Sequence, residues 1–476
     1  MATEQATATV AGQRLVAPLR QRNFALYVAG QLLSQIGDGI FVVALPFLVL
    51  NQGGGSVQLG VVLACYGAAR LLALPVGGTL GDKIGARSVM GWSDALRVIA
   101  VTGFVVLATI GRIPLWALIV VAVPLGILDG MFQPGAFSLI PEIVPDPSLA
   151  AANSLNITML SGAQIAGPAL GGLVVGRFKS GVGLAIDAAT FLISSITIFA
   201  IRGTALDQDA RHADEAVAGP QEARHAPGAV PDGGARAAGP DTGQQAGGPD
   251  AGRPVGGPDA RQPVAGPDAM EADADGTALP QTWRSVLGYL RNSPLLRMSL
   301  LVTVVVNLAY DGMMEVALPS FSRSPLHSGA TGFGVIMAGF GAGAVLGSLC
   351  GGAFVRLRRR GLIALFLGIA QGTAVICVPL GSMLAVATAA MFTAAALQAV
   401  LNVFYLTILQ RDVPQGLLGR VMSLMLICAY AAYPLSTAVS GTVVRSVGAA
   451  PVIVVGGLCI CLAFSIGFFS RIYRSL

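Results

Sequence analysis

Charged residues are scarce in this chain, and so is histidine. Only 11% of the 476 residues are Asp, Glu, Lys or Arg, whereas 54% are hydrophobic, and the mean hydropathy is +0.72. So little charge cannot cover the surface of a water-soluble globule, which excludes that class of protein. The three histidines, His212, His225 and His327, lie in loops, so carboxylates are left to carry any proton across a membrane.

The cysteines form no recognisable framework. Their spacing matches no metal site or disulfide pattern, and small packing residues are expected inside apolar runs, where all six fall: Cys65, Cys350, Cys377, Cys428, Cys459 and Cys461. The apolar runs also lack the pairing of a nucleophile with a base that an intramembrane enzyme would need. We therefore expect no metal, no cofactor and no enzymatic activity.

Long apolar runs are what this chain has in abundance. A helix needs about 20 apolar residues to cross roughly 30 Å of hydrocarbon. Twelve runs meet that length: 24–50, 57–81, 89–110, 115–139, 153–176, 181–201, 295–321, 329–355, 362–383, 385–409, 419–444 and 449–471. The sequence therefore predicts an all-α membrane protein with twelve transmembrane helices, six on each side of a polar gap.

The two groups of six runs repeat one another. The segment 38–46 recurs as 311–319, 273 positions later, and 60–67 recurs as 334–341 at a shift of 274. A third block recurs at a shift of 269. Such internal repeats in a hydrophobic chain are typical of transporters built from two related halves, so we expect two pseudo-symmetric six-helix bundles.

Composition divides the chain into four parts. We predict an N-terminal tail at 1–23, a first bundle at 24–201, a linker at 202–282 and a second bundle at 283–476, which opens with an amphipathic interfacial helix. The linker repeats Gly-Pro-Asp every nine residues and has too little apolar surface to offset the entropy of ordering. A disordered cytoplasmic spacer is the expected result.

Basic residues in the loops indicate the orientation. With both termini in the cytoplasm, only Arg112, Arg177, Lys179, Arg323 and Arg445 fall outside, and the other loop arginines and lysines fall inside. Cytoplasmic loops carry the excess of positive charge in membrane proteins. We expect a multi-pass protein of the inner (plasma) membrane that works as a monomer in lipid, and the net charge of +5 does not point to nucleic acid.

Polar side chains form stripes on four of the apolar runs. On the first run Gln31, Gln35 and Asp38 are spaced by four and three, so they share one helical face. Runs four, seven and ten carry comparable sets: Asp129 and Gln133; Asn307, Asp311 and Glu315; Gln398, Asn402 and Tyr405. A charge inside the membrane costs at least about 2.5 kcal/mol, so these stripes are expected to line a cavity that binds substrate and protons. The alternative for each carboxylate is an ion pair between helices, for instance with Arg70.

Three segments carry a family resemblance. Residues 78–87 resemble the signature G-x-L-x-D-[RK]-x-G-[RK]-[RK] of the major facilitator superfamily, departing from it only at Ala86. The N-terminal stretches at 19–24, 37–39 and 44–46 resemble its macrolide-efflux and enterobactin-exporter branch. In the fifth run, the pattern G-x-x-x-x-G-P-x-x-G-G resembles the antiporter motif of drug:proton exchangers and comprises Gly162, Gly167, Pro168, Gly171 and Gly172.

The resemblance implies two bundles that rock about a cavity lined by helices one, four, seven and ten. It also implies export of a bulky, partly apolar compound such as a drug or macrolide, with antibiotic resistance as the outcome and protons as the counter-flow. Phe41, Met313, Met314 and Phe404 would supply apolar walls. Export of a siderophore or another dedicated metabolite stays open, as do import by symport and a sensor that moves no solute.

Charged and glycine residues near the inner ends of the runs are candidates for a gate. We expect Asp94 and Arg97 to join the loop charges in a structural cluster that closes the cytoplasmic side, and Asp187 to be structural. The predicted gating set is Gly78, Asp82, Lys83, Gly85, Arg87, Asp94, Arg97, Glu142 and Arg411.

Overall fold

The computed structural model describes residues 17–202, 288, 290–291, 293–354, 360–381, 383–413 and 415–469. The predicted linker, most of the predicted interfacial helix and the side chain of Arg411 lie outside the described residues. All of the described residues belong to one compact unit. The division into tail, bundles and linker stays a prediction.

Twelve long helices follow one another in the part of the chain that the structure describes. After a short 3₁₀ turn at Ala17–Arg20, they are α1 Arg22–Asn51, α2 Gly55–Ile84, α3 Ala86–Ala108, α4 Leu115–Ile143, α5 Asp146–Phe178, α6 Ser180–Phe199, α7 Pro294–Gly312, α8 Gly329–Phe354, α9 Arg360–Cys377, α10 Leu384–Asp412, α11 Gln415–Val447 and α12 Ala449–Phe469. A π-helical turn, Met313–Ala317, continues α7 and leads into a last helical piece, Leu318–Arg323.

Each helix exists because hydrocarbon offers no partner to a free N–H or C=O group, so the backbone must satisfy its hydrogen bonds internally. All twelve helices contain stretches long and apolar enough to cross a membrane. Prolines inside α1, α2, α4, α5 and α11 are tolerated because neighbouring helices support the freed carbonyls. The predicted fold class, an all-α membrane protein of twelve spans, is confirmed.

The two halves repeat the same packing scheme. In the first half α1 packs on α5 and α6, α2 on α4, and α3 on α4 and α6; in the second half α7 packs on α11 and α12, α8 on α10, and α9 on α10 and α12. Each pair in one half has its counterpart six helices later. The halves then meet through two symmetric contacts, α2 with α11 and α5 with α8.

Glycines bring the halves together on one side of the molecule. We call the side where α1 begins the near face and the side where α1 ends the far face. A Cβ on Gly172 of α5 would lie 2.8 Å from the Cα of Gly334 on α8, and a Cβ on Gly60 of α2 would lie 2.9 Å from the Cα of Gly441 on α11. Only glycine permits so close an approach of two backbones.

Described glycines of one half contact the other half only in the region between the far face and the middle of the helices. Two side-chain hydrogen bonds reinforce that side: Ser56 donates to the carbonyl of Gly441 at 2.9 Å, and Thr331 donates to the carbonyl of Gly172 at 3.2 Å. The halves are therefore sealed against each other along these contacts, between the far face and the middle of the helices.

Valine at position 60 should destabilise this sealed state. The added side chain would collide with α11, and overpacking of this kind costs about 1–3 kcal/mol, so we expect the thermal midpoint of the purified protein to fall by about 3 °C or more. Gly81→Val is the matched control, since a Cβ at Gly81 on the same helix meets nothing within 4 Å. Equal losses in both variants would mean that the α2–α11 contact does not hold the halves together.

Candidate functional site

Four charged side chains form a network in the middle of the first half, of which Asp94 and Arg97 are buried and Arg70 and Asp129 are partly exposed. Arg97 on α3 pairs with Asp94 of the same helix at 3.2 Å and with Asp129 on α4 at 2.6 Å. Arg70 on α2 reaches the second oxygen of Asp129, with 2.8 Å between Nε and Oδ2. Arg97 is 2% exposed and Asp94 is fully buried. Two arginines and two aspartates balance one another, as charges removed from water must.

Uncharged polar groups complete the network. Tyr66 donates to Asp129 at 3.0 Å, and Ser194 of α6 donates to Asp94 at 2.6 Å. Gln31 of α1 donates to the Ser194 hydroxyl at 3.2 Å. Five helices, α1, α2, α3, α4 and α6, therefore supply partners to a single group of charges.

Aromatic rings cover the two guanidinium groups. Arg97 lies 4.5 Å from the ring centre of Phe132 and 5.1 Å from that of Phe191, and Arg70 lies 5.0 Å from the ring centre of Tyr430. Such contacts between a cation and a π face are attractive, more so away from water. Because Tyr430 belongs to α11, the last contact links the charge network to the second half.

Asp129 forms an ion pair across helices, and its predicted role in binding substrate or protons stays a prediction. The structure shows the ion pair with Arg70 that stood as the alternative to a free cavity carboxylate. Arg70 also donates to the predicted site residue Gln133 at 3.3 Å. The network thus joins two residues of the predicted α4 stripe to α2.

Asp94 and Arg97 lie away from the loop charges with which we expected them to cluster. They are eight and eleven residues beyond the start of α3 at Ala86, which places them about 12 and 16 Å along the helix from the near-face loop. Arg97 pairs with Asp129 instead. Whether the pair contributes to gating stays a prediction.

Asp187, expected to be structural, lies beside α1. It is fully buried, and its oxygens have no hydrogen-bond partner among the described residues. A Cβ on Gly37 would lie 2.7 Å from its Oδ1, so the carboxyl packs against the α1 backbone next to Asp38. Asp38 itself is half-buried and forms no ion pair with a residue that the structure describes.

A small central cavity opens between the halves beside the charge network. Its volume is about 130 Å³, and its lining joins α2, α7 and α11: Tyr66, Gly67, Arg70, Asn307, Asp311, Ala429, Tyr430 and Tyr433. Two residues of the predicted α7 stripe, Asn307 and Asp311, thus face the same space as Arg70. Asn307 also donates to the carbonyl of Thr303 at 2.7 Å.

Glu315, the third member of the α7 stripe, lies in the π-helical turn that continues α7. Such turns insert an extra residue into a helix and are frequent at functional sites. Met313, one of the expected cavity walls, is 1% exposed within the same turn. It belongs to the core in this conformation.

The predicted α10 residues have separate surroundings. The Gln398 oxygen is buried without a partner among the described atoms, Asn402 is exposed, and the Tyr405 hydroxyl lies 3.3 Å from that of Thr303. Phe404, another expected wall, is 1% exposed. The central cavity therefore includes no α10 residue, and none of the α1 stripe, Gln31, Gln35 or Asp38.

The near-face loop between α2 and α3 is built on Gly85 and Arg87. Gly85 has a φ of +85°, a left-handed conformation that favours glycine. Arg87 donates to the last carbonyls of α6, at 3.2 Å to Ile198 and 2.5 Å to Phe199. This loop is thereby tied to the end of α6, and a Cβ at Gly78 would meet nothing within 4 Å.

The other predicted gate charges make no contact that closes the near face. Asp82 and Lys83 are exposed, Glu142 is half-buried at the end of α4, and none of the three forms an ion pair with a described residue. Their gating role stays a prediction.

The motif of α5 packs that helix against both halves. A Cβ on Gly167 would lie 2.8 Å from the Cα of Gly39, and a Cβ on Gly171 would lie 2.9 Å from the Cα of Ile40, both on α1. Gly172 faces α8 instead, and Gly162 meets nothing within 4 Å. Pro168 is buried within the helix between these contacts.

Three tyrosines of the site, Tyr66, Tyr430 and Tyr433, were missed by sequence reasoning, which named Arg70 only as a possible ion-pair partner. Tyr66 and Arg70 are four apart on α2, and Tyr430 and Tyr433 are three apart on α11, which are the spacings of one helical face. The same test that found the four predicted stripes would have found these two. Among the described residues no group of three or more His, Cys, Asp or Glu could hold a metal ion.

Asp129→Asn and Asp187→Asn should differ sharply in stability. The first removes two ion pairs and leaves the buried Arg97 undercompensated, which costs about 3 kcal/mol, whereas the second removes no ion pair and changes little. Thermal unfolding of the two purified variants measures the difference. A loss for Asp187→Asn as large as that for Asp129→Asn would show that Asp187 has a charged partner in the folded protein.

Two related six-helix bundles around a central polar cavity define a membrane transport protein. The sequence pattern described as Major Facilitator Superfamily matches residues 27–437. The chain belongs to that superfamily, as its motifs predicted.

Relatives in the superfamily include efflux pumps. The multidrug efflux pump Tap of Mycobacterium tuberculosis is 31% identical over 183 residues, 37% of this chain and 43% of that protein. YfiS of Bacillus subtilis, an uncharacterized MFS-type transporter, is 24% identical over 199 residues, 42% of this chain and 46% of that protein. This chain thus matches less than half the length of either relative.

The fold is also that of solved transporters. A bacterial homologue of the iron transporter ferroportin, crystallised in an inward-facing state, superposes with a TM-score of 0.62 at 14% identity. The match covers 94% of this chain and 99% of that one.

Proposed function

We propose that this protein exports bulky, partly apolar organic compounds, such as drugs or macrolides, across the plasma membrane in exchange for protons. The observation that carries the proposal is the central cavity, where Arg70 and the tyrosines of α2 and α11 meet the α7 carboxylate Asp311. Aromatic faces with a few polar groups suit such ligands. Similarity to the multidrug efflux pump Tap supports the direction of transport.

Substrate binding would take place at this cavity and extend toward the near face. Drug-sized ligands need roughly 300 Å³ or more, and the cavity provides about 130 Å³ in the described conformation. The additional space must come from the gap between the halves. Tyr430 and Tyr433, which line the cavity on the α11 side, are the residues we expect the ligand to contact.

Proton exchange would use the carboxylates that lack a cation partner. Asp129 is held by two arginines, so we assign coupling first to Asp38, with Asp311 and Glu315 as its counterparts in the second half. A proton arriving at Asp38 would neutralise it beside the charge network and shift the balance of attraction there. Proton binding would favour one conformation over the other because the electrostatic interaction between Asp38 and the network would differ between the two.

Alternating access follows from the glycine contacts. If both termini are cytoplasmic, as the loop charges predict, the far face is outside and the described state is open to the cytoplasm. Substrate would enter from the near face, and the halves would then separate at the α2–α11 and α5–α8 contacts to release it outside. Return of the carboxylates to the charged form inside would reset the cycle.

Asp38→Asn should abolish substrate accumulation driven by a pH gradient. In inverted membrane vesicles, wild-type protein is expected to accumulate labelled macrolide when the lumen is acidified, and Asp38→Asn to accumulate about tenfold less, as for loss of a proton-transfer group. Asp146→Asn is the matched control, since Asp146 is exposed at the first turn of α5. Wild-type uptake and gradient response in Asp38→Asn would contradict the coupling role, and no macrolide uptake by well-inserted wild type would favour a dedicated metabolite such as a siderophore.

Tyr430→Leu should raise the transport KM about tenfold and leave the maximal rate nearly unchanged, because a ring that contacts substrate equally throughout contributes uniform binding. Trp116→Leu is the control, an exposed aromatic residue on the outside of α4. Initial rates of uptake over a range of substrate concentrations measure both constants. A fall in maximal rate at constant KM would place Tyr430 in the conformational change instead.

A further inference from the structure

A second, larger cavity lies at the far face, apart from the central one. Its volume is about 630 Å³, and both halves line it. The first half contributes the end of α1, the α3–α4 loop and the α5–α6 junction, and the second half contributes Arg323 and residues 328–331. It shares no lining residue with the central cavity.

The charge of this cavity has one sign. Lys179 from the first half and Arg323 from the second are its only charged lining residues, and neither forms an ion pair with a described residue. The connections at the far face, residues 52–54, 109–114, 179, 324–328, 381–383 and 448, contain no Asp or Glu. A positive cavity without an internal counter-charge attracts anions.

The local backbone adds to this attraction. α6 begins at Ser180 and α8 begins at Gly329, and both residues line the cavity. Helix N-termini present unpaired N–H groups and the positive end of the helix dipole. Two such ends and two cations thus converge on one space.

Two polar side chains in the lining lack a partner. Ser180 is 6% exposed, and its hydroxyl forms no hydrogen bond within the described chain. Gln52 donates its amide to the carbonyl of Ala108 at 3.2 Å, but its buried Oε1 accepts from no described group. Buried polar groups are normally satisfied, so a ligand in the cavity would accept a hydrogen bond from the Ser180 hydroxyl.

Lys179 occupies a strained backbone conformation. Its φ is +71° and its ψ is 166°, a region that residues other than glycine rarely adopt at a cost of order 1–3 kcal/mol. Glycine would relieve that strain. The fold alone would therefore be served better by glycine at position 179 than by the lysine that lies there at the edge of the cavity.

We propose that the far-face cavity is an anion-binding site for a phosphate group. Lys179 and Arg323 hold the anion from opposite halves, with Ser180 and the two helix N-termini beneath it. An anion so placed joins the halves on the side where the glycine contacts already seal them. It therefore stabilises the state closed at the far face.

The phosphate could be free in solution or part of a lipid headgroup, and one experiment separates the two sources. The thermal midpoint of the purified full chain is measured in neutral detergent during titration with inorganic phosphate, with sodium chloride at matched ionic strength as the reference. A second series uses nanodiscs of phosphatidylcholine with and without phosphatidylglycerol. Stabilisation that saturates with ligand reports binding to the folded state.

Three proteins are compared: wild type, the double variant Lys179→Gly/Arg323→Gln, and Arg445→Gln. Glycine at position 179 relieves the strained backbone, so the double variant is expected to fold. A loss of phosphate binding in it then reports the loss of charge. Arg445 is exposed at the far-face end of α11 and does not line the cavity. Loss of charge-assisted hydrogen bonds should weaken the apparent phosphate affinity of the double variant by roughly tenfold or more, with Arg445→Gln unchanged.

The outcomes are distinct. Phosphate stabilisation that the double variant loses supports a free anion, and stabilisation by phosphatidylglycerol alone, again lost in the double variant, supports a lipid headgroup. If neither ligand stabilises the wild type, the proposal is overturned. It is also overturned if all three proteins respond alike, since the effect would then be general screening.

Discussion

The carboxylate of Asp129, held between two arginines, is the interaction on which the rest of the structure depends. Its two oxygens pair with Arg97 at 2.6 Å and with Arg70 at 2.8 Å. In the membrane interior neither sign of charge can be left to water, and ions are stable only when paired and hydrogen-bonded. This requirement fixes α2, α3 and α4 at one depth, and through Asp94 and Ser194 it fixes α6 as well. The first half is therefore assembled around charge, although its composition is overwhelmingly apolar.

The network also connects the two halves at the place where they separate. Arg70 belongs to the network on one side and contacts the ring of Tyr430 on α11 on the other. The glycine contact between α2 and α11 lies farther along the same pair of helices, toward the far face. A change in charge beside Asp129 can thus reach the contact between the halves through a single helix, α2. Coupling between a proton site and a conformational change requires a structural element that can adopt two positions and that both sites influence. Helix α2 contacts both sites directly, so no chain of intermediate residues is needed.

The fold could be predicted because bilayer thickness and hydropathy fix the length of each span, and because the repeat of Asp38 at Asp311 exposes the two halves. The stripe positions were also predictable from helical spacing. Their partners were not, because the partner of Asp129 depends on how α2 and α3 are rotated in the bundle, which hydropathy does not encode. Arg97 illustrates the difference, since its sequence neighbours suggested the near-face loop whereas packing directs it to Asp129. The π-helical turn around Glu315 likewise leaves no recognisable pattern in the sequence.

The repeat is incomplete in a way that assigns different tasks to the halves. Arg97 is the twelfth residue of α3, and the twelfth residue of α9 is Gln371; Asp129 corresponds to Gln398 at the shift of 269. Both glutamines carry a buried polar atom without a partner among the described residues. Neutral amides at these places cost far less to bury than charges, so the second half does not need a network like that of the first.

The carboxylates of the second half lie elsewhere. Asp311 lines the central cavity, and Glu315 lies in the π-helical turn that continues α7. The symmetric scaffold thus provides equivalent helices in the two halves, while the asymmetry of charge concentrates the ion pairs in the first half and leaves the carboxylates of the second half without a cation partner among the described residues.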